Sequence, residues 1–156
     1  MLFRRQPPQK QGKSRTLADH AKIVESILAK LNVDPAQAKL KTVEGYGWSF
    51  RRGSAIIEIY VTEHDGKGYF QVLAPILHLP TIGLLQLYRH LLELNLQMTA
   101  ASLGVYHDVV YVFSERLIGG LDFNEANDII TLVAGYADTF DNQLVTEFGG
   151  RLYGQA

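Results

Sequence analysis

The chain has 156 residues, 47% of them hydrophobic and 20% charged, with no cysteine and a formal net charge of −1. That length fits one domain able to bury a core without staples, and the composition is globular, neither disordered nor membrane-spanning. The absence of cysteine excludes disulfides, thiolate nucleophiles and thiolate metal sites.

Lack of cysteine is compatible with a reducing, cytoplasmic compartment. Apolar runs such as Ile82–Leu87 fall short of the roughly 20 residues that span a bilayer, and no apolar signal region is expected at the N-terminus. The charge is unevenly spread. Arg4, Arg5, Lys10, Lys13 and Arg15 place five cations in the first fifteen residues, with no acid among them, leaving −6 on the remainder. Residues 1–13, with their Pro-Pro pair and glutamines, read as a flexible basic leader.

From Thr16 to about Asn32, Leu17, Ala21, Val24, Leu28 and Leu31 recur at helical spacing, and Thr16 with Asp19 resembles a capping box. Asp34-Pro35 ends or interrupts this helix. Three strands follow. Tyr46, Trp48 and Phe50 alternate with smaller or polar residues, then Ala55, Ile57, Ile59 and Val61, then Phe70, Val72, Ala74 and Ile76. Turns are expected at Arg52-Gly53-Ser54 and at His64 to Gly68. Pro75 cannot donate to a ladder and marks an edge or the end of its strand.

A second helix is expected over Thr81–Asn95, with apolar positions Ile82, Leu85, Tyr88, Leu91 and Leu92, widened by Leu84, Leu87 and Leu94. So wide an apolar face predicts burial on one side and a subunit contact on another. Ser102–Tyr106 and Val109–Ser114 read as a hairpin with His107-Asp108 at its tip. Asp122 and Glu125 have capping-box spacing for a last helix, Phe123–Phe148, which Gly149-Gly150 stops. The predicted order is α-β-β-β-α-β-β-α, an α+β fold with an antiparallel sheet. One domain spans residues 14–150, and 151–156 form a tail.

The search for chemistry returns little. Five histidines occur, none paired at i,i+4 on a helix, and adjacent Glu63, His64 and Asp65 point different ways in a turn, so no metal site is expected. Gly45-x-Gly47 and Gly66-x-Gly68 lack phosphate-loop spacing and read as turn or strand punctuation. Asp128, Asp138 and Asp141 read as a solvated helix face. Aromatic residues concentrate on adjacent strands, where packing accounts for them better than base stacking. No catalytic residue and no cofactor is expected, and the reading is a non-enzyme.

One physical route to function remains. The helices cover one sheet face, and Ile56, Tyr60, Tyr69, Leu73, Val110 and Val112 are expected on the other. There they would form an apolar patch for a second copy, a protein or a peptide, unless the last helix or a loop covers them. The alternative is a nucleic-acid-associated regulator using the basic N-terminal arm, although the acidic remainder of the chain would repel a phosphate backbone.

Leu91-Leu92-Glu93-Leu94-Asn95, then a hairpin, then a capped helix carrying Tyr136-Ala137-Asp138-Thr139-Phe140, resembles the YbjN-like family. Within it, the chain resembles a cyanobacterial branch of unknown function. That family is similar in fold to the Tir-type chaperones of type III secretion. The resemblance implies a homodimer without a catalytic centre, receiving segments of other proteins. Secretion chaperones are usually clearly acidic, whereas this chain is near neutral because of its arm. Nothing in the sequence points to a secretion apparatus.

Overall fold

A computed structural model describes residues 14–155; the leader, with Arg4, Arg5, Lys10 and Lys13, lies outside them. Five strands form an antiparallel sheet in the order β1-β2-β3-β5-β4: β1 (Tyr46–Arg52), β2 (Ala55–His64), β3 (Lys67–His78), β4 (Ser102–Tyr106) and β5 (Val109–Leu117). The helices are α1 (Leu17–Lys30), α2 (Pro35–Ala38), α3 (Leu84–Asn95) and α4 (Phe123–Phe148). The observed order contains the predicted α-β-β-β-α-β-β-α series, with α2 and a short sixth strand added.

Helix starts follow the capping chemistry. Thr16 and Asp19 form a reciprocal capping box, and Asp34 caps α2 by accepting the Ala36 N–H at 2.9 Å, with Pro35 at the first helical position. Proline therefore opens a short second helix, whereas the first has already stopped at Lys30, followed by a left-handed Asn32 with φ 60°. Helix α3 starts three residues later than the sequence predicts. Gly83 is left-handed, with φ 73°, a conformation that a right-handed helix through Thr81 and Ile82 cannot include.

Hairpin geometry sets the register of the sheet. Asp65-Gly66 (φ 50° and 71°) and His107-Asp108 (φ 45° and 60°) both take positive φ at two central residues, the twist that suits two-residue hairpin loops. Pro75 is not at the end of its strand, but it lies past the last β2–β3 pair, Glu58 opposite Leu73, on a side of β3 that β2 leaves open. It lies within the central strand β3, where the register against β5 shifts between Pro75 and Leu77. That bulge is where a ladder tolerates a residue without an N–H.

Helices α1 and α4 pack on one sheet face, and α3 lies against the edge strand β4. Ile57, Ile59, Val61, Phe70, Val72, Ala74, Val110 and Val112 meet Val24, Ile27 and Leu28 of α1 and Ile130, Val133, Ala137 and Leu144 of α4 in one core. Two expectations are corrected here. Val110 and Val112 are fully buried on the helix-covered face. They pair with Leu77 and Ala74, and the pairing of β5 with β3, strands far apart in the chain, sets which side of β5 turns inward. Asp141 is not on a solvated face: it is buried, accepts the Ser54 hydroxyl at 2.5 Å, and accepts the Asn142 N–H at 2.5 Å. Together with Asp138, which accepts the Ser54 N–H at 3.2 Å, it ties the β1–β2 turn to α4.

The segment read as a tail contributes β6 (Arg151–Leu152), paired with β3. Gly149 and Gly150, with φ 80° and 88°, turn the chain from α4 into it.

Candidate protein-interaction surface

The sheet face away from the helices carries Ile56, Glu58 and Tyr60 of β2, Tyr69, Gln71 and Leu73 of β3, and Tyr111 and Phe113 of β5. Strand alternation puts them there as the complement of the buried set. Ile56, Tyr60, Tyr69 and Leu73 are all half-buried on this face. They lie on two neighbouring strands, with Leu73 opposite Glu58 and Tyr60 opposite Gln71. The β5 residues beside them are Tyr111 and Phe113, not the valines. Reading one residue out of phase on β5 hides them.

Polar groups on this face are paired laterally. Tyr60 donates its hydroxyl to Glu58 at 2.8 Å, and the Gln71 amide donates to Glu115. Burial, reinforced by the Glu58 hydrogen bond and charge, pushes the Tyr60 phenol above its ordinary value of 10.0. Burial also raises Tyr111, with the nearby Tyr153 phenol adding to it. Leu73, Glu58, Tyr111, Phe113, Gly104, Val105 and Tyr106 line a shallow, mostly apolar depression of about 520 Å³. Gly104 allows this, because a Cβ there would press to 3.2 Å from the Phe113 ring.

The depression continues around the sheet edge. Gly104 and Val105 also line a second groove of about 260 Å³, with Tyr88, Leu91, Leu92, Asn95 and Leu103. Helix α3 forms its far wall. Leu87, Leu91 and Leu94 of α3 face the core. A second stripe, Leu85, Tyr88 and Leu92, faces outward between Ile82 and Leu96. Leu85 is 78% exposed, Leu92 68% and Leu96 90%. The two stripes have the same period, and the set that the sequence puts foremost is exposed except for Leu91, which belongs to the core.

Asn95 fixes this edge. Its amide oxygen accepts the Leu103 N–H at 2.6 Å, and its amide nitrogen donates to the Leu103 carbonyl at 3.2 Å. One side chain thus takes the place of a neighbouring strand on β4 and clamps α3 to it. Arg89 and Glu93, paired at 2.9 Å, flank the outward stripe.

Elsewhere the chemistry is sparse. Among the described residues no group of three or more His, Cys, Asp or Glu side chains is placed to hold a metal ion. Glu63 and His64 at the end of β2 and Asp65 in the turn after it are all exposed. Among the same residues no helix is long and apolar enough to cross a membrane. Arg15, the described part of the basic arm, donates to the Leu121 carbonyl at 3.0 Å.

Comparison with known proteins places this architecture. A family profile, TY-Chap1, described as "T3SS (YopN, CesT) and YbjN peptide-binding chaperone 1", matches residues 19–156. Among solved structures, a chain of the ExsC–ExsE complex is similar, with TM-score 0.60 and 12% identity over 82% of this chain and 95% of that one. A chain of the HopA1–SchA chaperone–effector complex is similar with TM-score 0.58 and 8% identity, over 79% of this chain and 93% of that one. At these identities the likeness is one of fold. No curated protein sequence matches the chain.

Proposed function

Because the chain belongs to the TY-Chap1 family of peptide-binding chaperones, we propose that it is a non-enzymatic chaperone-like module that works as a homodimer and holds a segment of another protein. One observation carries this reading. The exposed large apolar residues Tyr88 and Leu92 of α3 join Val105 and Tyr106 of β4 and Phe113 of β5 through two grooves that share Gly104 and Val105, and Ile82, Leu85 and Leu96 carry the exposed apolar stripe beyond them. A soluble monomer rarely exposes so continuous a greasy surface.

The surface divides by shape. The α3 stripe is convex and self-complementary in composition, suited to meeting its own copy across a two-fold axis. The open sheet face with Ile56, Tyr60, Tyr69 and Leu73 is shallow, and its tyrosines offer both apolar area and hydroxyls, suited to a partner's segment. A cytoplasmic location fits such a role.

The test is twofold. Sedimentation should show a dimer at micromolar concentration. Affinity capture from the native cell should retain the same protein with wild type and lose it with Leu73→Asp and Tyr111→Asp. A strict monomer at high micromolar concentration ends the dimer reading. A captured set unchanged by the sheet-face substitutions ends the partner reading.

A further inference from the structure

We infer that the slot beside β3 at Ile76–His78 is a second seat for an extended peptide, and that the chain's own segment Arg151–Gly154 sits in it as an internal stand-in for a partner strand. The inference deepens the peptide-holding reading, on which it rests only for the identity of the competitor.

The slot exists because β2 and β3 part company. Their pairing ends at Glu58 opposite Leu73, while β3 runs on to His78. The end of β3 is thereby left with β5 on one side and an open ladder edge on the other. Strand β6 fills that edge. Leu152 pairs with Leu77 and Arg151 with His78, and the Tyr153 N–H donates to the Ile76 carbonyl at 3.0 Å. The Tyr153 ring stacks on His78, with centroids 5.2 Å apart and planes at 21°. Gly154 follows, where a Cβ would press on the Ile56 side chain at 2.8 Å.

The occupant is held more lightly than any other strand. It forms two ladder pairs, whereas β1 forms seven with β2. It hangs from α4 by Gly149 and Gly150. The cap of α4, Gly149 N–H to the Val145 carbonyl at 2.9 Å, lies before the swivel, so the segment can leave without unwinding the helix. Short, glycine-hinged elements of this kind open locally at far lower cost than the whole fold. The slot borders Ile56, a residue of the open sheet face, so a peptide lying there can run on into the vacated ladder. The resident reads out the preferred chemistry: a basic residue, an aliphatic one beside Leu77, an aromatic one over His78, then glycine.

A tethered strand competes at about millimolar effective concentration, so a free peptide gains access only when the resident is weakened. The probe is a fluorescein-labelled peptide of residues 149–156, GGRLYGQA, titrated by anisotropy into full-length protein. Full-length protein carrying Leu152→Asp and Tyr153→Ala should bind it at least tenfold tighter than wild type. The same peptide with its tyrosine changed to alanine should lose that gain. In wild type, the Tyr153 amide should exchange hydrogen at least a hundredfold faster than the Val72 amide. Equal protection of the two amides, equal peptide binding by variant and wild type, or collapse of the doubly substituted protein's circular dichroism would each overturn the inference. A Leu92→Asp protein should keep the slot, so failure here and failure of the α3 surface are separable.

Discussion

Replacing Leu85 and Leu92 by Asp separates assembly from folding. Both side chains point away from the core and are mostly exposed, so the protomer should lose little, within about 0.5 kcal/mol per site as for ordinary surface positions. In a two-fold interface each substitution counts twice. Full burial of a leucine is worth about 1.5–3 kcal/mol, and roughly two-thirds to three-quarters of each side chain remains to be buried, which gives ~1–2 kcal/mol per leucine. Four such leucines per dimer amount to roughly 4–8 kcal/mol before the cost of desolvating four carboxylates, or at least about a thousandfold in the dissociation constant. Sedimentation equilibrium across a concentration series should show dimer for wild type and monomer for the variant, with urea midpoints compared under conditions where both are monomeric. A monomeric wild type would refute the reasoning. So would a variant whose monomer unfolds as though a core leucine had been lost, by about 2–5 kcal/mol.

Neighbouring residues on β5 should behave oppositely: Val112→Ala costs folding stability of about 1–3 kcal/mol in a denaturant melt, whereas Phe113→Ala leaves the melt nearly unchanged and weakens partner capture. Asp141→Ala removes the buried acceptor of the Ser54 hydroxyl and should destabilise by about 1–3 kcal/mol, more than Asp138→Ala at the exposed end of the same cluster. Gly53→Ala should also destabilise, because φ is +57° and the new Cβ would collide with the Asp138 carboxylate. Tyr60 and Tyr111 have phenols raised above 10.0. The folded state therefore holds these protons longer than the unfolded one, and stability present below pH 10 falls as pH rises beyond it. Ultraviolet titration should show late-ionising tyrosines, and Tyr60→Phe should lessen the alkaline loss of stability.

The capping box at Thr16, the N-cap at Asp122, the alternation along β2 and the Asp65-Gly66 turn were legible because each is a rule about residues a few positions apart. The Asp141–Ser54 contact joins residues 87 apart, and no local pattern distinguishes that carboxylate from a solvated one.

The same division runs through the candidate surface. Periodicity along the chain determined that the fold is α+β with an antiparallel sheet, that one sheet face needs helices, and that α3 has more apolar residues than one core contact can use. It located Ile56, Tyr60, Tyr69 and Leu73 on a common face, because β2 and β3 are long, regular and joined by a two-residue turn. Only the tertiary structure decided which face of β5 is buried, since its register is set against β3, a strand separated from it by α3 and β4 in the chain. Which of the two stripes on α3 meets the core, and whether the last residues hang free or close the ladder of β3, were decided there too. Side-chain period is a property of a segment. Inward or outward is a relation between segments, and it exists only once they are packed.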